Sequence, residues 1–324
     1  MNCTYVVGML GCLAVATPVQ AQSFPSKAIT MVVTAAPGGV SDLVARAVGQ
    51  RLTQAWGQQV VIDNRGGAAH VLGAQAVAKA APDGHTLLVA EAGTFVINPT
   101  LYPKGKLPYD TETDFTPITG LIRINQALVA RTSLPASNTG DLLKLAKQKP
   151  NEFTYGTAGV GSGPQMNIVK LENMAGVTLR PIHYRGAAPA LNDVIAGHID
   201  LMSISVSLVV QPHQDGKLKI LGVGAKKRVR QLPDVPTVAE SGLPNYEAVT
   251  WFGLVGPKAM PRDLVMKINA EVQRILSDPA FQEKFMAPQM FESMASAPEE
   301  FDQYIKVETQ RWGNVIREQN LTIQ

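Results

Sequence analysis

Cysteine is almost absent from this chain: Cys3 and Cys12 are the two among 324 residues, and both lie in the first dozen positions. An apolar stretch covers residues 5–16, and Val19-Gln20-Ala21 fits the small-x-small pattern that precedes a signal-peptidase cut. No Lys or Arg precedes the apolar core, so the usual basic n-region is missing. We expect a secretory signal peptide over residues 1–21 and a mature chain without disulfides or thiol chemistry.

Charge and long hydrophobic runs are also scarce. Charged residues make up 17% of the chain, and 29 Lys plus Arg nearly balance 26 Asp plus Glu, which gives a formal net charge of +3. This balance argues against a nucleic-acid-binding protein. After residue 22 no run approaches the roughly 18 apolar residues of a membrane-spanning helix. The length favours a globular protein of about two domains.

The motifs of common enzyme classes are missing as well. There is no Walker A sequence, and Gly159-x-Gly161-x-Gly163 does not have the spacing of a dinucleotide-binding loop. Val160 stands where a nucleophile elbow around Ser162 would need glycine. The five histidines are scattered without H-x-x-x-H spacing, so we predict no metal site and no cofactor. We predict a non-enzymatic protein; the remaining alternative is a serine hydrolase that uses Ser41 or Ser162.

From residue 29 onward, short runs rich in β-branched residues alternate with amphipathic stretches. This alternation predicts α/β structure, with largely parallel sheets covered by helices on both faces. We predict strands at 29–34, 60–62, 86–90, 153–157, 179–183, 199–204 and 218–223. We predict helices at 41–56, 71–80, 140–149, 189–196, 261–275 and 298–319, and one after Pro164. Two such series without a Ser- or Gly-rich linker indicate two α/β halves joined by strands.

Two Gly-containing loops each lie between a predicted strand and a helix. The first covers residues 34–42, with Ser41 as the expected helix cap, and the second covers residues 156–163. Backbone N–H groups that point outward at a helix N-terminus bind carboxylate or phosphate groups, so both loops are candidate anion sites. The alternative is that the glycines serve tight turns alone.

A run of positive charge, Lys226-Lys227-Arg228-Val229-Arg230, follows the last strand of the second series. Because a Pro-punctuated loop comes next, we interpret this run as a solvated face or a partner-docking surface and not as a nucleic-acid site.

Taken together, the motifs resemble the Bug-type periplasmic solute-binding proteins of tripartite tricarboxylate transporters. The match extends from Phe24 to the C-terminal helix. Its motifs include Phe24-Pro25-Ser26-Lys27, Pro37-Gly38-Gly39-x-Ser41-Asp42, Asn64-Arg65-x-Gly67-Ala68, Pro82-Asp83-Gly84-x-Thr86-Leu87-Leu88, Ile97-Asn98-Pro99-x-Leu101-Tyr102, Tyr184-Arg185-Gly186-x-Ala188-Pro189 and Trp251-Phe252-Gly253-Leu254.

This resemblance implies a type II-like periplasmic-binding-protein fold, with two mixed sheets flanked by helices and a ligand cleft between two domains. We place domain 1 at residues 22–122 plus 249–324 and domain 2 at residues 123–248, with the chain crossing near 121–125 and 248–252. The resemblance also implies a small carboxylate as ligand. The ligand-binding positions that it suggests are Pro37, Gly38, Gly39, Ser41 and Thr94 in domain 1 and Gly161, Ser162, Gln165, Tyr184 and Arg185 in domain 2.

Some positions depart from the family pattern and are candidates for specificity. The family often has histidine at Gln165 and an acidic-amide pair at Ile204-Ser205. His70 stands in place of a glycine, and Glu91 occupies the end of the third strand, where a small or hydroxyl residue is usual. We therefore single out His70, Glu91 and Ser205, and expect Glu91, with His70, to favour a ligand that also carries a donor or cationic group.

The expected function is that of a monomeric periplasmic receptor, which captures a small organic acid by hinge closure and delivers it to membrane transporter subunits. A sensor that presents the acid to a signalling receptor is the alternative within binding proteins.

Overall fold

The computed structural model describes residues 24–35, 37–66, 71–184, 186–318 and 321–322, so the predicted signal peptide lies outside the described residues. The strands are β1 (Ile29–Val33), β2 (Val60–Asn64), β3 (Thr86–Glu91), β4 (Phe115–Ala130), β5 (Thr154–Thr157), β6 (Arg180–His183), β7 (Leu201–Ser205), β8 (Lys219–Val223), β9 (Val249–Pro257) and β10 (Phe291–Ser293). The α-helices are α1 (Val40–Trp56), α2 (Val71–Ala78), α3 (Asn98–Leu101), α4 (Thr139–Gln148), α5 (Gly163–Ala175), α6 (Ala187–Ala196), α7 (Val210–Gln214), α8 (Arg262–Ser277), α9 (Pro279–Phe281) and α10 (Pro298–Glu318). Residues Gly93–Ile97 and Gln282–Met286 are π-helical, and Val206–Leu208 is a 3₁₀ turn.

The strands form two mixed sheets. Sheet A has the order β2-β1-β3-β9-β4, with β1 parallel to β2 and β3 and with β9 antiparallel to β3 and β4; β10 pairs with β4. Sheet B has the order β6-β5-β7-β4-β8, with β5 parallel to its two neighbours and β4 antiparallel to β7 and β8. The α/β prediction with two mixed sheets is therefore confirmed.

Strand β4 belongs to both sheets. It pairs with β9 up to Asn125 and with β7 from Gln126 onward. Backbone bonds close this junction, because Gly224 N–H donates to Gln126 and Ala248 N–H donates to Gly224. A Cβ at Gly224 would lie 2.6 Å from the Ala248 Cβ, so glycine allows the segments around residues 224 and 248 to approach each other. The predicted domain limits stay a proposal, but the change of partners lies beside the predicted first crossing.

Each sheet carries apolar clusters on both faces. In sheet A, α1 and α8 pack around Val44 and Ile268 on one face, and α2 and α10 pack with Val77 and Phe301 on the other. In sheet B, one cluster contains residues of α4 and α5, and the other contains residues of α6. Burial of these faces removes apolar side chains from water at about 25 cal/mol per Å². This packing gives the strand ends, where the functional loops begin, a rigid support.

Candidate functional site

The candidate site is built at the carboxyl ends of the parallel strands. β1 and β3 end at Val33 and Glu91 in sheet A, and β5 and β6 end at Thr157 and His183 in sheet B. In open α/β sheets, ligands bind outside this edge of the strands. The loops that follow β1 and β5 are the two Gly-containing loops predicted from the sequence.

The loop after β1 is closed by Asp42. Gly38 has a φ of +85° and donates its N–H to Asp42 Oδ2 at 2.9 Å. Arg46 Nε also bonds this carboxylate at 2.9 Å. Burial acts to raise the pKa of Asp42, but the bonds from Arg46 and Gly38 outweigh it and hold the pKa below its usual range. We expected the backbone N–H groups of this loop to point outward, but the Gly38 N–H is bonded within the loop.

The predicted cap of α1 is also wrong. Gly39 is the N-cap residue, and Ser41 is buried in the first turn of the helix. Pro37, Gly38 and Gly39 are exposed. Whether these residues contact a ligand stays a prediction.

The loop after β5 repeats this geometry in the second sheet. Gly161 has a φ of +74° and donates its N–H to Gln165 Oε1 at 2.7 Å. Ser162 is the N-cap residue of α5, with φ −67° and ψ 151°, close to the φ −76° and ψ 170° of Gly39. In both halves, the third residue of the helix accepts from the glycine that precedes the N-cap. Asp42 and Gln165 thus hold the two loops in the same way.

The two loops differ in charge. Asp42 places a carboxylate at the N-terminus of α1, whereas the first turn of α5 contains no acidic residue. The positive end of the α1 dipole is thus compensated within the chain, and that of α5 is not. By position, Gly163 and Gln165 keep N–H groups without an intrahelical acceptor, and Pro164 has none to donate. The N-terminus of α5 is accordingly the better place for an anion.

Two buried hydroxyl groups lack hydrogen-bond partners among the described residues: Thr94 Oγ1 and Ser162 Oγ. Thr94 is fully buried, and Ser162 makes no cap bond although it occupies the N-cap position. A Cβ built on Gly161 would overlap Leu101 and lie 3.8 Å from Ile97 Cγ2, so this loop touches the segment that contains Thr94. The structure thus brings Thr94 and the Gly161–Ser162 loop to one region. An unpaired buried hydroxyl costs about 1–3 kcal/mol, which makes both groups candidate ligand donors.

Two further predicted positions in the second half, Tyr184 and Ser205, are engaged in internal bonds. Tyr184 donates its hydroxyl to Asp193 Oδ2 at 2.6 Å, and burial together with this carboxylate raises the pKa of Tyr184 to about 12. Ser205 is buried at the end of β7, where its Oγ lies 2.9 Å from Ser207 Oγ. Arg185 lies outside the described residues. The roles of these three positions stay predictions.

The predicted pairing of Glu91 with His70 cannot be placed, because His70 lies outside the described residues. Glu91 itself is half-buried at the end of β3, and Thr34 donates its hydroxyl to Glu91 Oε1 at 3.4 Å. Glu91 is therefore part of the strand-end edge, beside the first loop. Its influence on specificity stays a prediction.

The described histidines bond to groups other than the candidate serines. His183 Nδ1 lies 2.8 Å from Thr157 Oγ1, and His198 Nδ1 lies 3.3 Å from Asp193. Within the described ranges, no three His, Cys, Asp or Glu side chains form a group that could hold a metal ion.

The sequence carries a capping signal at Ser162 that the structure does not follow. Ser162-Gly163-Pro164-Gln165 has the S-x-x-Q spacing of a capping box, in which serine and glutamine each bond the backbone of the other. In the structure Gln165 reaches Gly161 instead of Ser162, and the serine makes no cap bond. Neither bond of the box forms, so Ser162 Oγ has no hydrogen-bond partner among the described residues.

Comparison with known proteins decides the family. A sequence profile described as the tripartite tricarboxylate transporter family receptor matches residues 44–321. The chain belongs to this receptor family. BugT of Bordetella pertussis (strain Tohama I) is 29% identical to the receptor described here over 323 residues, which is 98% of each chain. The predicted membership of the Bug-type solute-binding proteins is thereby confirmed.

Solved structures of relatives share the fold. Rpa4515 of R. palustris with adipate has a TM-score of 0.84 and 30% identity, and the match covers 92% of the receptor and 99% of that chain. MatC of Rhodopseudomonas palustris with bound malate has a TM-score of 0.80 and 32% identity, and the match covers 90% of the receptor and 100% of that chain. The predicted periplasmic-binding-protein fold is thus confirmed.

Family membership also decides between the two classes of function. The family consists of periplasmic solute-binding receptors, which are not enzymes. The receptor is therefore a solute-binding protein, and the alternative of a serine hydrolase is wrong. Among the residues that the structure describes, no helix is long and apolar enough to cross a membrane.

Proposed function

We propose that the receptor is exported with cleavage after residue 21, binds a small organic carboxylate between its two halves, and delivers it to a tripartite tricarboxylate transporter. The observation that carries this proposal is a pair of buried hydroxyls, Thr94 Oγ1 and Ser162 Oγ, that have no hydrogen-bond partner among the described residues and lie near the contact between Gly161 and Leu101. Adipate and malate in the two related structures are both dicarboxylates, which supports an acid as the ligand.

The charge pattern gives the orientation of the ligand. One carboxylate lies at the N-terminus of α5, where the helix dipole and the N–H groups of Gly163 and Gln165 favour an anion. Ser162 and Thr94 donate their hydroxyls to the acid from the two sides of the cleft. Charge-assisted hydrogen bonds of this kind contribute about 1.5–3 kcal/mol each, so a few of them suffice for micromolar affinity.

Closure of the two halves accounts for capture without chemistry. The receptor moves about the junction in β4 and β9, and the acid favours the closed arrangement because both halves contact it only there. Release to the transporter then requires that the membrane subunits favour the open arrangement.

A thermal-shift screen of residues 22–324 tests this proposal. Mono-, di- and tricarboxylates, amino acids and aromatic acids are compared at equal ionic strength. A ligand at a hundredfold excess over its Kd stabilises the native state by about 2.7 kcal/mol, which gives a clear rise in Tm. We expect at least one acid to raise the Tm. A flat result across all acids would contradict the proposal, and loss of growth on that acid in a deletion strain tests the transport step.

A further inference from the structure

A cavity lies at the junction of the two sheets. Its volume is about 510 Å³, and none of the predicted ligand-binding residues that the structure describes lines it. One wall is formed by Arg123 and Asn125 of β4 with the β10 segment, and the other is formed by the positive run at residues 226–230. This volume falls within the range of about 300–1,000 Å³ that is common for small-molecule sites.

The cavity carries an excess of positive charge. Five cationic side chains and two carboxylates line it, which leaves an excess of three, as large as the formal net charge of the whole chain. The charges are not evenly paired. Arg123 Nε forms an ion pair with Glu292 Oε2 at 2.6 Å, and Arg228 Nε forms one with Glu240 Oε2 at 3.1 Å. Among the described residues, Lys226, Lys227 and Arg230 have no ion-pair partner.

Apolar side chains complete the lining. Met290 and Phe291 lie on the wall formed by the β10 segment. Val206 and Val229 lie on the wall that contains the positive run. A cleft that combines exposed cations with buried apolar side chains attracts anions that carry an apolar body. The positive run is the one charged motif of the sequence that the candidate site does not use.

We propose that this cavity is a second binding site, for a small polycarboxylate with an apolar body, which Lys226, Lys227 and Arg230 hold. The three cations match a ligand with two or three negative charges, and the ligand contacts both sheets at their junction. This proposal does not rest on the proposed function, because the two sites share no residue that the structure describes.

The test is calorimetric titration of residues 22–324 with benzene-1,3,5-tricarboxylate. The triple variant Lys226→Gln, Lys227→Gln, Arg230→Gln removes the three charges from the cavity. The matched control, Lys104→Gln, Lys106→Gln, Lys147→Gln, removes three exposed charges that have no ion-pair partner among the described residues. The charge-conserving variant Lys226→Arg, Lys227→Arg, Arg230→Lys reports on folding and geometry.

We expect saturable binding to the wild type and a rise of at least about tenfold in Kd for the triple variant. The matched control and the charge-conserving variant should stay within about threefold of the wild type. The Gln165→Glu variant, which alters the α5 N-terminus, should retain the binding. Equal affinity in the triple variant, loss of binding in Gln165→Glu, or no saturation up to about 1 mM would each overturn the proposal.

Discussion

Two fully buried threonines differ in what their hydroxyl groups bond. Thr139 Oγ1 donates to the Leu221 carbonyl at 3.1 Å, whereas Thr94 Oγ1 has no partner among the described residues. Threonine and valine have nearly the same shape, so a Thr→Val change removes the hydroxyl and leaves the packing. Comparing Thr94→Val with Thr139→Val therefore distinguishes a hydroxyl that binds the ligand from one that stabilises the fold.

We predict that Thr94→Val weakens acid binding about fivefold to tenfold without lowering the free energy of unfolding, because its hydroxyl bonds the ligand alone. Thr139→Val should lower the free energy of unfolding by about 1 kcal/mol and leave the Kd unchanged. Urea unfolding and ligand titration measure the two quantities. A Thr94→Val protein that binds the acid normally would show that this hydroxyl does not contact it.

Glu172 in α5 links stability to pH. Its Oε1 accepts from Leu179 N–H at 2.6 Å, and burial raises the pKa of Glu172 from 4.5 to about 7. The folded state therefore holds this proton more tightly than the unfolded state does. The stabilisation that protonation provides is complete below about pH 4.5 and is lost as pH rises toward about 7.

We predict that Glu172→Gln removes this part of the pH dependence, because the amide oxygen still accepts from Leu179 and carries no charge. Between about pH 4.5 and 7 the wild type should lose up to about 3 kcal/mol relative to the variant. Urea unfolding at several pH values measures the difference. Parallel stability curves for the two proteins would contradict the assigned pKa.

At the scale of secondary-structure elements, the local signals in the sequence predicted most of the fold. Helix α1 was predictable because its signals are local: the apolar stripe repeats within the helix, and Gly57 stops it. Gly57 adopts φ +68° and ends the helix. Strand β4 was not predicted as an element. Its Pro117 and Gly120 are typical of turns, and shifts of register beside both residues accommodate them once β9 supplies the pairing. The three-residue strand β10 likewise depends on its partner.

The candidate site was predictable in position but not in its bonding. The strand–loop–helix pattern predicted both Gly-containing loops, because glycine marks such turns whatever the distant contacts are. Which N–H groups remain free depends on the side chains of Asp42 and Gln165, which reach back to Gly38 and Gly161. The rotamers of Asp42 and Gln165 depend on packing, which residue types alone do not specify.

The contact between the α5 loop and α3 offers a test at the same scale. Gly161 and Gly57 both have positive φ, but a Cβ at Gly57 meets no atom within 4 Å, whereas one at Gly161 overlaps Leu101. Alanine at either position bears the same backbone strain, of about 1 kcal/mol. Only Gly161→Ala also pushes the loop away from α3.

We predict that Gly161→Ala weakens acid binding at least about fivefold, while Gly57→Ala changes stability alone. The Leu101→Ala change vacates the space beside Gly161. In that background, Gly161→Ala should lower the binding free energy by about 1 kcal/mol less than it does in the wild type. A double-mutant cycle on the Kd measures this coupling. Strictly additive effects would show that the two elements do not meet in the ligand-bound receptor.

At the scale of the whole molecule, the two sheets are connected by side chains as well as by β4. Met166 of α5 packs in the same cluster as Phe95 and Trp251 of the first half. Lys170 Nζ donates to the Glu247 carbonyl at 2.7 Å, beside the junction, and burial lowers the pKa of Lys170 to about 8. Helix α5 thus contacts the junction through Lys170, about two turns beyond the N-terminus that is the candidate anion position. Under the proposed closure, the ligand and the closed arrangement would stabilise each other through this helix.

The central claim is that the acid's carboxylate lies at the N-terminus of α5. Calorimetric titration with the acid that gives the largest thermal shift, comparing wild type with Gln165→Glu, tests it most directly. Glutamate keeps the acceptor for Gly161 N–H but adds the negative charge that Asp42 already gives α1. We predict a rise in Kd of at least about tenfold with no fall in Tm. The exposed control Gln54→Glu should bind normally, and equal affinity of Gln165→Glu and wild type would contradict the claim.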